Sequence, residues 1–157
     1  MFGPEENDRF LLCQVGSRLI ALALGDVRET MRPLPVEPLD GMPPFILGLA
    51  VIRGAPVPII DACRLLSPST CISPATSARF VTLKLGERTV ALAVDAVVEV
   101  RLLDRTTLMG IPPLLQESQA ELAAIAALDT ELVLVLQAGR LVPDQIWSAI
   151  GRSGAVA

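Results

Sequence analysis

The side chains in this chain with the most chemical reach are its carboxylates and its cysteines. There is no histidine and no tyrosine, which removes the commonest general base and any Ser/His or Cys/His nucleophile pair. Asp95 and Glu99, four apart in VDAVVEV, are a carboxylate pair of the kind that could do acid/base work. Acids that recur along a strand are ordinarily solvated, however, and nothing beside them supplies a nucleophile. Gly48 and Gly54 flank a run that lacks the lysine and Ser/Thr of a phosphate loop, and no GxGxxG follows a strand, so no nucleotide site is indicated. Cys13, Cys63 and Cys71 are odd in number and form no CxxC pair, which predicts buried free thiols rather than a disulfide framework or a zinc site. The expectation is a protein without catalytic residues, metal or cofactor.

Charge narrows the partners. The net charge is −4 and the pI is near 4.8. The basic residues are almost all arginines scattered singly, with Lys84 the one lysine, and aromatics make up 3%. A nucleic-acid surface wants a basic stripe with rings to stack on bases, so that class is excluded. Hydrophobic residues reach 52% and the mean hydropathy is +0.55, yet no apolar run approaches the roughly 18 residues of a membrane span. The N-terminal MFGPEENDRF is acidic and polar where a secretory signal needs a basic start and an apolar stretch. A cytoplasmic protein with apolar surface to spare, not inserted in a membrane, is expected.

The elements that position these residues are legible through an internal repeat. At an offset of 70, FLLCQVGSRLIALALGDVRETMR from Phe10 lies over FVTLKLGERTVALAVDAVVEVRL from Phe80 with eight identities, where unrelated segments would share about one or two. The identical pairs are Phe10/Phe80, Gly16/Gly86, Arg18/Arg88, Ala21/Ala91, Leu22/Leu92, Ala23/Ala93, Val27/Val97 and Glu29/Glu99. At an offset of 76, GLAVIRGAPVPIIDACRLL from Gly48 lies over AIAALDTELVLVLQAGRLV from Ala124, matching Ala50, Val57, Ala62, Arg64 and Leu65. The change of offset places a six-residue insertion near Leu115 to Ala120, and Pro43–Pro44 and Pro112–Pro113 introduce the second half of each copy.

Each copy reads as β. Phe10 to Val15 and Phe80 to Leu85 are short and apolar, Gly16 and Gly86 sit where a hairpin must turn, and the runs to Leu24 and Val94 are again of strand length. Further strands are expected from Val27 and Val97, over Ile46 to Ile52 and Val57 to Ile60, and over Ala123 to Leu128 and Leu132 to Leu136. The segment AELAAIAAL from Ala120 favours helix by propensity, but its repeat partner GLAVI carries β-branched residues and a glycine, and the repeat reading is followed. Pro143 and Asp144 ahead of QIWSAI predict a C-terminal helix over about 143–151. In LIALAL and VALAV neither alternate set is polar, so one face fills a barrel and the other needs a cover, which a second barrel supplies. The fold class expected is mainly all-β: two pseudo-symmetric five-stranded barrels about a shared hydrophobic core, with short helical turns. The organisation is a single unit over 1–157, with subdomain 1 at about 10–66, a turn-forming linker at 67–78 and subdomain 2 at about 79–142.

The stretches LGDVRETMRPLP, FILGLAVIRGAPVPIIDACRLL and VALAVDAVVEV resemble the CheW-like family of chemotaxis coupling proteins. Its members share a V-x-E strand, a G-x-x-x-x-R-G-x-x-x-P-x-x-D motif and a second-copy V-D-x-V-x-E/D-V. The resemblance spans roughly Phe10 to Val142 and implies two SH3-like barrels. It further implies a scaffold that couples the cytoplasmic tip of a methyl-accepting chemoreceptor to the regulatory domain of a CheA-type histidine kinase. Carried over residue by residue, it assigns partner binding to Val27, Glu29, Gly48, Arg53, Gly54 and Val100. It also puts Glu29 and Arg53 together as an ion pair beside the groove between the barrels.

Each position has a plainer reading. Glu29 and Arg53 read equally as an exposed surface pair worth about 0–1 kcal/mol. Val27 and Val100 serve the core in most strands, and the two glycines serve backbone geometry. Asp61 and Asp95 are read as structural, capping turns where strands end. Two other functions stay open: an adaptor for pilus motility or gene control, and a β-barrel that binds a small molecule, which would need a lined cavity.

Overall fold

The computed structural model describes residues 9–66, 79–103, 122–128, 131–137, 141, 142, 144 and 146–148. Ten strands appear in the order β1 (Arg9–Val15), β2 (Arg18–Ala23), β3 (Val27–Met31), β4 (Ile46–Ile52), β5 (Ala55–Asp61), β6 (Arg79–Leu85), β7 (Arg88–Val94), β8 (Ala96–Leu102), β9 (Leu122–Leu128) and β10 (Glu131–Leu136). A 3-10 turn, Leu24–Asp26, links β2 to β3, and a five-residue helix α1, Ala62–Leu66, follows β5. The linker expected at 67–78 lies outside the described residues. So does part of the C-terminal helix, of which residues 144 and 146–148 are helical.

The strands form two five-stranded sheets in the orders β8-β1-β2-β10-β9 and β3-β6-β7-β5-β4, the SH3-like barrel pair expected. Their membership is crossed. The hairpin β1–β2 of the first copy joins β8, β9 and β10 of the second, and β6–β7 of the second joins β3, β4 and β5 of the first. The bounds 10–66 and 79–142 therefore delimit repeating sequence, whereas each sheet draws on both copies. The register obeys the repeat throughout. Leu12 opposes Glu99 where Thr82 opposes Glu29, each beside a bulge at the same place in the ladder. Val135 lies parallel to Ala21 where Ile59 lies parallel to Ala91.

Alternation explains the doubled apolar faces. Leu11, Cys13, Ile20, Leu22, Val81, Leu83, Val90 and Leu92 form one core shared by both sheets. The opposite faces fill the two barrels, Phe10, Leu12, Ala21, Val133 and Val135 in one and Ala50, Ile52, Val57, Ile59, Phe80, Ala91 and Ala93 in the other. Each strand of the β2 and β7 type is thus buried on both sides, with its alanines facing the barrel interior. Leu122–Leu128 is a strand despite its helix-forming composition, because pairing with β10 overrides a weak intrinsic preference. Cys13 is fully buried, and burial pushes its thiol up to about 12. Cys63 departs from the expectation in being half-buried on α1 at the margin of the shared core, and Cys71 lies outside the described residues.

Candidate functional site

Glu29 and Arg53 meet. Glu29 lies on β3, an outer strand of its sheet, and Arg53 on the turn between β5 and the opposite outer strand β4. Arg53 Nε donates to Glu29 Oε1 at 3.2 Å, and Arg53 Nη2 donates to Oε2, giving a two-pronged contact. This pairing is stronger and more directional than a single ion contact. It ties the two edges of the sheet across the mouth of a barrel. The side chains lining the pocket beside it come from β3, β4, β5, β6 and β7 of one sheet.

The local backbone explains why Arg53 reaches. Ile52 pairs with Ala55, so Arg53 and Gly54 form a two-residue hairpin turn, with φ of 54° and 79°. Positive φ at both positions is the primed turn that follows strand twist, in which Asn-Gly is favoured. Arg53 is the one described residue other than glycine with positive φ. An arginine there is strained, and such strain persists where the side chain has a task. Electrostatics favour the charged pair. The hydrogen bonds from Arg53 hold the Glu29 carboxyl below the usual carboxylate range, partial desolvation opposes them, and the charges of Arg53 and Arg28 assist. The Arg53 guanidinium is stabilised in return, chiefly by the same hydrogen bonds.

Beside the pair is a small, half-open pocket of about 150 Å³, walled by Arg28, Ile52, Thr82 and Thr89 among others. Thr82, 1% exposed, bonds twice to the main chain of Glu29. Its Oγ1 accepts from Glu29 N at 3.1 Å and donates to Glu29 O at 3.2 Å.

The remaining expected residues fall into separate places. Val27 is half-buried against the shared core. Val100 is 51% exposed on β8 in the other sheet, in an apolar row with Val98 and Leu102. Gly48, at φ 144°, lies against a strap in which Glu37 exchanges hydrogen bonds with Leu49 at 2.8 and 2.9 Å. Asp61, 1% exposed, caps α1: its Oδ1 accepts from Cys63 N at 3.0 Å and Arg64 N at 3.4 Å, while Oδ2 lies 3.6 Å from Arg64 Nε. Asp95 accepts from Gly16 N at 2.7 Å through Oδ2, fastening the first hairpin turn to the corner before β8.

Thr82 escaped the sequence reading, though one signal marks it: a hydroxyl stands where the repeat has Leu12. Arg88 escaped as well. Its guanidinium lies 5.0 Å from the Trp147 ring and 3.6 Å from Asp144, so it clasps the C-terminal helical residues. Nothing in an arginine shared by the two copies, Arg18 and Arg88, distinguishes that role from solvation. Among the described residues no cluster of His, Cys, Asp or Glu could hold a metal ion, and no helix is long and apolar enough to cross a membrane.

The doubled SH3-like β-barrel and the Glu29–Arg53 pair at its surface define the fold class. The chain belongs to the CheW-like family, whose domain description matches residues 9–145. It is 24% identical over 140 residues to the chemotaxis protein CheW of Rhizobium meliloti (strain 1021), covering 83% of this chain and 90% of that one. It is 23% identical over 134 residues to a probable chemotaxis protein CheW of Rhizobium etli, covering 84% and 86%. The crystal structure of the scaffolding protein TtCheW from Thermoanaerobacter tengcongensis shares the fold, with a TM-score of 0.77 at 22% identity over 87% of this chain and 88% of that one.

Proposed function

We propose that this protein is a non-enzymatic cytoplasmic adaptor that couples the tip of a chemoreceptor to the regulatory domain of a CheA-type histidine kinase. The observation that carries the reading is the two-pronged Glu29–Arg53 pair, held by a strained turn on a CheW-like fold. Three of the positions that the family resemblance assigns to partner binding, Glu29, Arg53 and Gly54, converge on this barrel mouth. Both barrel interiors are occupied by side chains, which favours a scaffold over a protein that encloses a small ligand. The mechanism is geometric. The receptor engages at the Glu29–Arg53 mouth, the kinase engages barrel ends away from it, and each partner raises the effective concentration of the other, so modest single affinities give a durable assembly.

The test is retention of both partners. Tagged wild-type protein incubated with the source cell's extract is expected to retain a CheA-type kinase and a receptor together, and Arg53→Ala to lose the receptor while keeping the kinase. Retention of neither by the folded wild type defeats the adaptor reading. Undiminished receptor retention by folded Arg53→Ala removes Arg53 from the contact.

A further inference from the structure

Thr82 is a polar side chain in a barrel interior otherwise filled by apolar residues, Phe80, Ala91 and Ala93 among them. The hydroxyl sits opposite Glu29 at a bulge: Val27 pairs with Leu83 and Glu29 with Thr82, leaving Arg28 as the extra residue. Bulges bend a strand and re-aim its side chains, at the expense of local ladder bonds. A hydroxyl can both donate and accept, and that of Thr82 does so to the one residue, Glu29. The pseudo-symmetric bulge has Leu12 opposite Glu99, and a leucine offers neither bond. The repeat position of Arg53 there is Asp129. Hydroxyl and guanidinium thus occur together in one barrel, and neither stands at the matching position of the other.

We propose that Thr82 is the positioning residue of the Glu29–Arg53 site, its hydroxyl clamping the main chain of Glu29 in the bulged register that aims the carboxylate at Arg53. The functional meaning of the site rests on the adaptor reading; the positioning does not. A merely structural threonine would stabilise the barrel without governing the ion pair.

NMR of the full chain separates the two. In Thr82→Val, which keeps the shape and removes both bonds, the Glu29 carboxyl titration is expected to move up toward the ordinary carboxylate range and the Arg53 Nε–H to exchange with solvent faster than in the wild type. Thr82→Ser is expected to restore both. Should Thr82→Val not fold, Thr82→Ser against Thr82→Ala makes the same comparison, hydroxyl kept against hydroxyl lost. A folded variant without the hydroxyl that keeps the Glu29 titration and the Arg53 signal of the wild type overturns the proposal, as does a folded Thr82→Ser that loses them. Receptor-tip affinity measured alongside should fall in Thr82→Val as in Arg53→Ala. A wild type that binds no receptor tip would defeat the adaptor reading and leave the NMR result standing.

Discussion

Replacing Gly48 by alanine isolates what the glycine is for. A Cβ built there falls 2.0 Å from the Glu37 carbonyl oxygen, 2.7 Å from its carbon and 2.9 Å from Pro38 Cα, all main-chain atoms, on a backbone with φ 144°. No rotamer relieves such a contact, so the strap must lift. Lifting it sacrifices the two Glu37–Leu49 hydrogen bonds, worth about 0.5–1.5 kcal/mol each, and the unfavourable backbone adds about 1–3 kcal/mol. A loss of about 2–6 kcal/mol corresponds, in a chain of this size, to a fall in Tm of about 4–24 °C. Gly54→Ala is the internal control, because φ there is 79° and the Cβ meets nothing within 4 Å, leaving backbone strain alone. Thermal melts followed by circular dichroism should rank Gly48→Ala well below Gly54→Ala. If Gly48→Ala melts within a degree or two of the wild type, or no lower than Gly54→Ala, the close approach of the strap is wrong. The repeat partner of Gly48 is Ala124 on β9, so the strand position itself accepts a side chain and the requirement comes from the strap.

Three further outcomes follow from single residues. Asp61→Ala removes the cap of α1 and should lower stability by about 1–2 kcal/mol in urea denaturation, while Asp61→Asn, which keeps an acceptor, should lose less; equal losses would place the effect in the Arg64 contact instead. Arg53→Gly suits the left-handed turn, so its Tm should equal or exceed that of the wild type while receptor retention is lost; a clear drop in Tm would mean that the ion pair, and not partner binding, accounts for the residue. The Cys13 thiol, protonated when folded with its pKa near 12 against about 8.5 when unfolded, lends stability that is complete below the unfolded value and drains away as pH rises toward the folded one. Ellman's reagent at pH 8 should therefore leave Cys13 untouched in the native protein and titrate it after denaturation, and rapid native reaction at that position would contradict its burial.

The sequence showed the fold through repetition more than through propensity. Eight identities at one spacing outweighed the helix preference of AELAAIAAL, because that preference amounts to tenths of a kcal/mol per residue while a strand pairing is settled by its neighbours. Glu29 and Arg53 were legible only as members of motifs. Their meeting depends on a turn with positive φ at an arginine and on the closing of a sheet by its outer strands, neither of which composition encodes. Thr82 and the Asp95–Gly16 bond were invisible for a related reason. Both act on main-chain atoms 53 and 79 residues distant, and a sequence pattern carries no record of which backbone group a hydroxyl or carboxylate will find. The crossing of hairpins between copies was equally hidden, since an exchanged and an unexchanged duplication have the same internal register.

That crossing has a consequence for folding. Residues 1–66 contain β1 to β5, but in the chain β1 pairs with β8 and β2 with β10, while β3 pairs with β6 and β5 with β7. Cutting after Leu66 thus removes a partner from four of the five strands and opens the shared core, leaving hairpins that are marginal alone. Substituting a second copy of the fragment would restore the topology but place Leu12 opposite Glu29 in both barrels, exchanging two hydroxyl bonds to the Glu29 main chain for an apolar side chain. Residues 1–66 at low concentration should therefore show no cooperative melt, and mixing them with residues 67–157 should regain one transition common to secondary-structure and Trp147 signals, as expected of a single cooperative unit. A monomeric fragment that melts cooperatively by itself would show that the copies are independent domains and that the sheets do not depend on exchange.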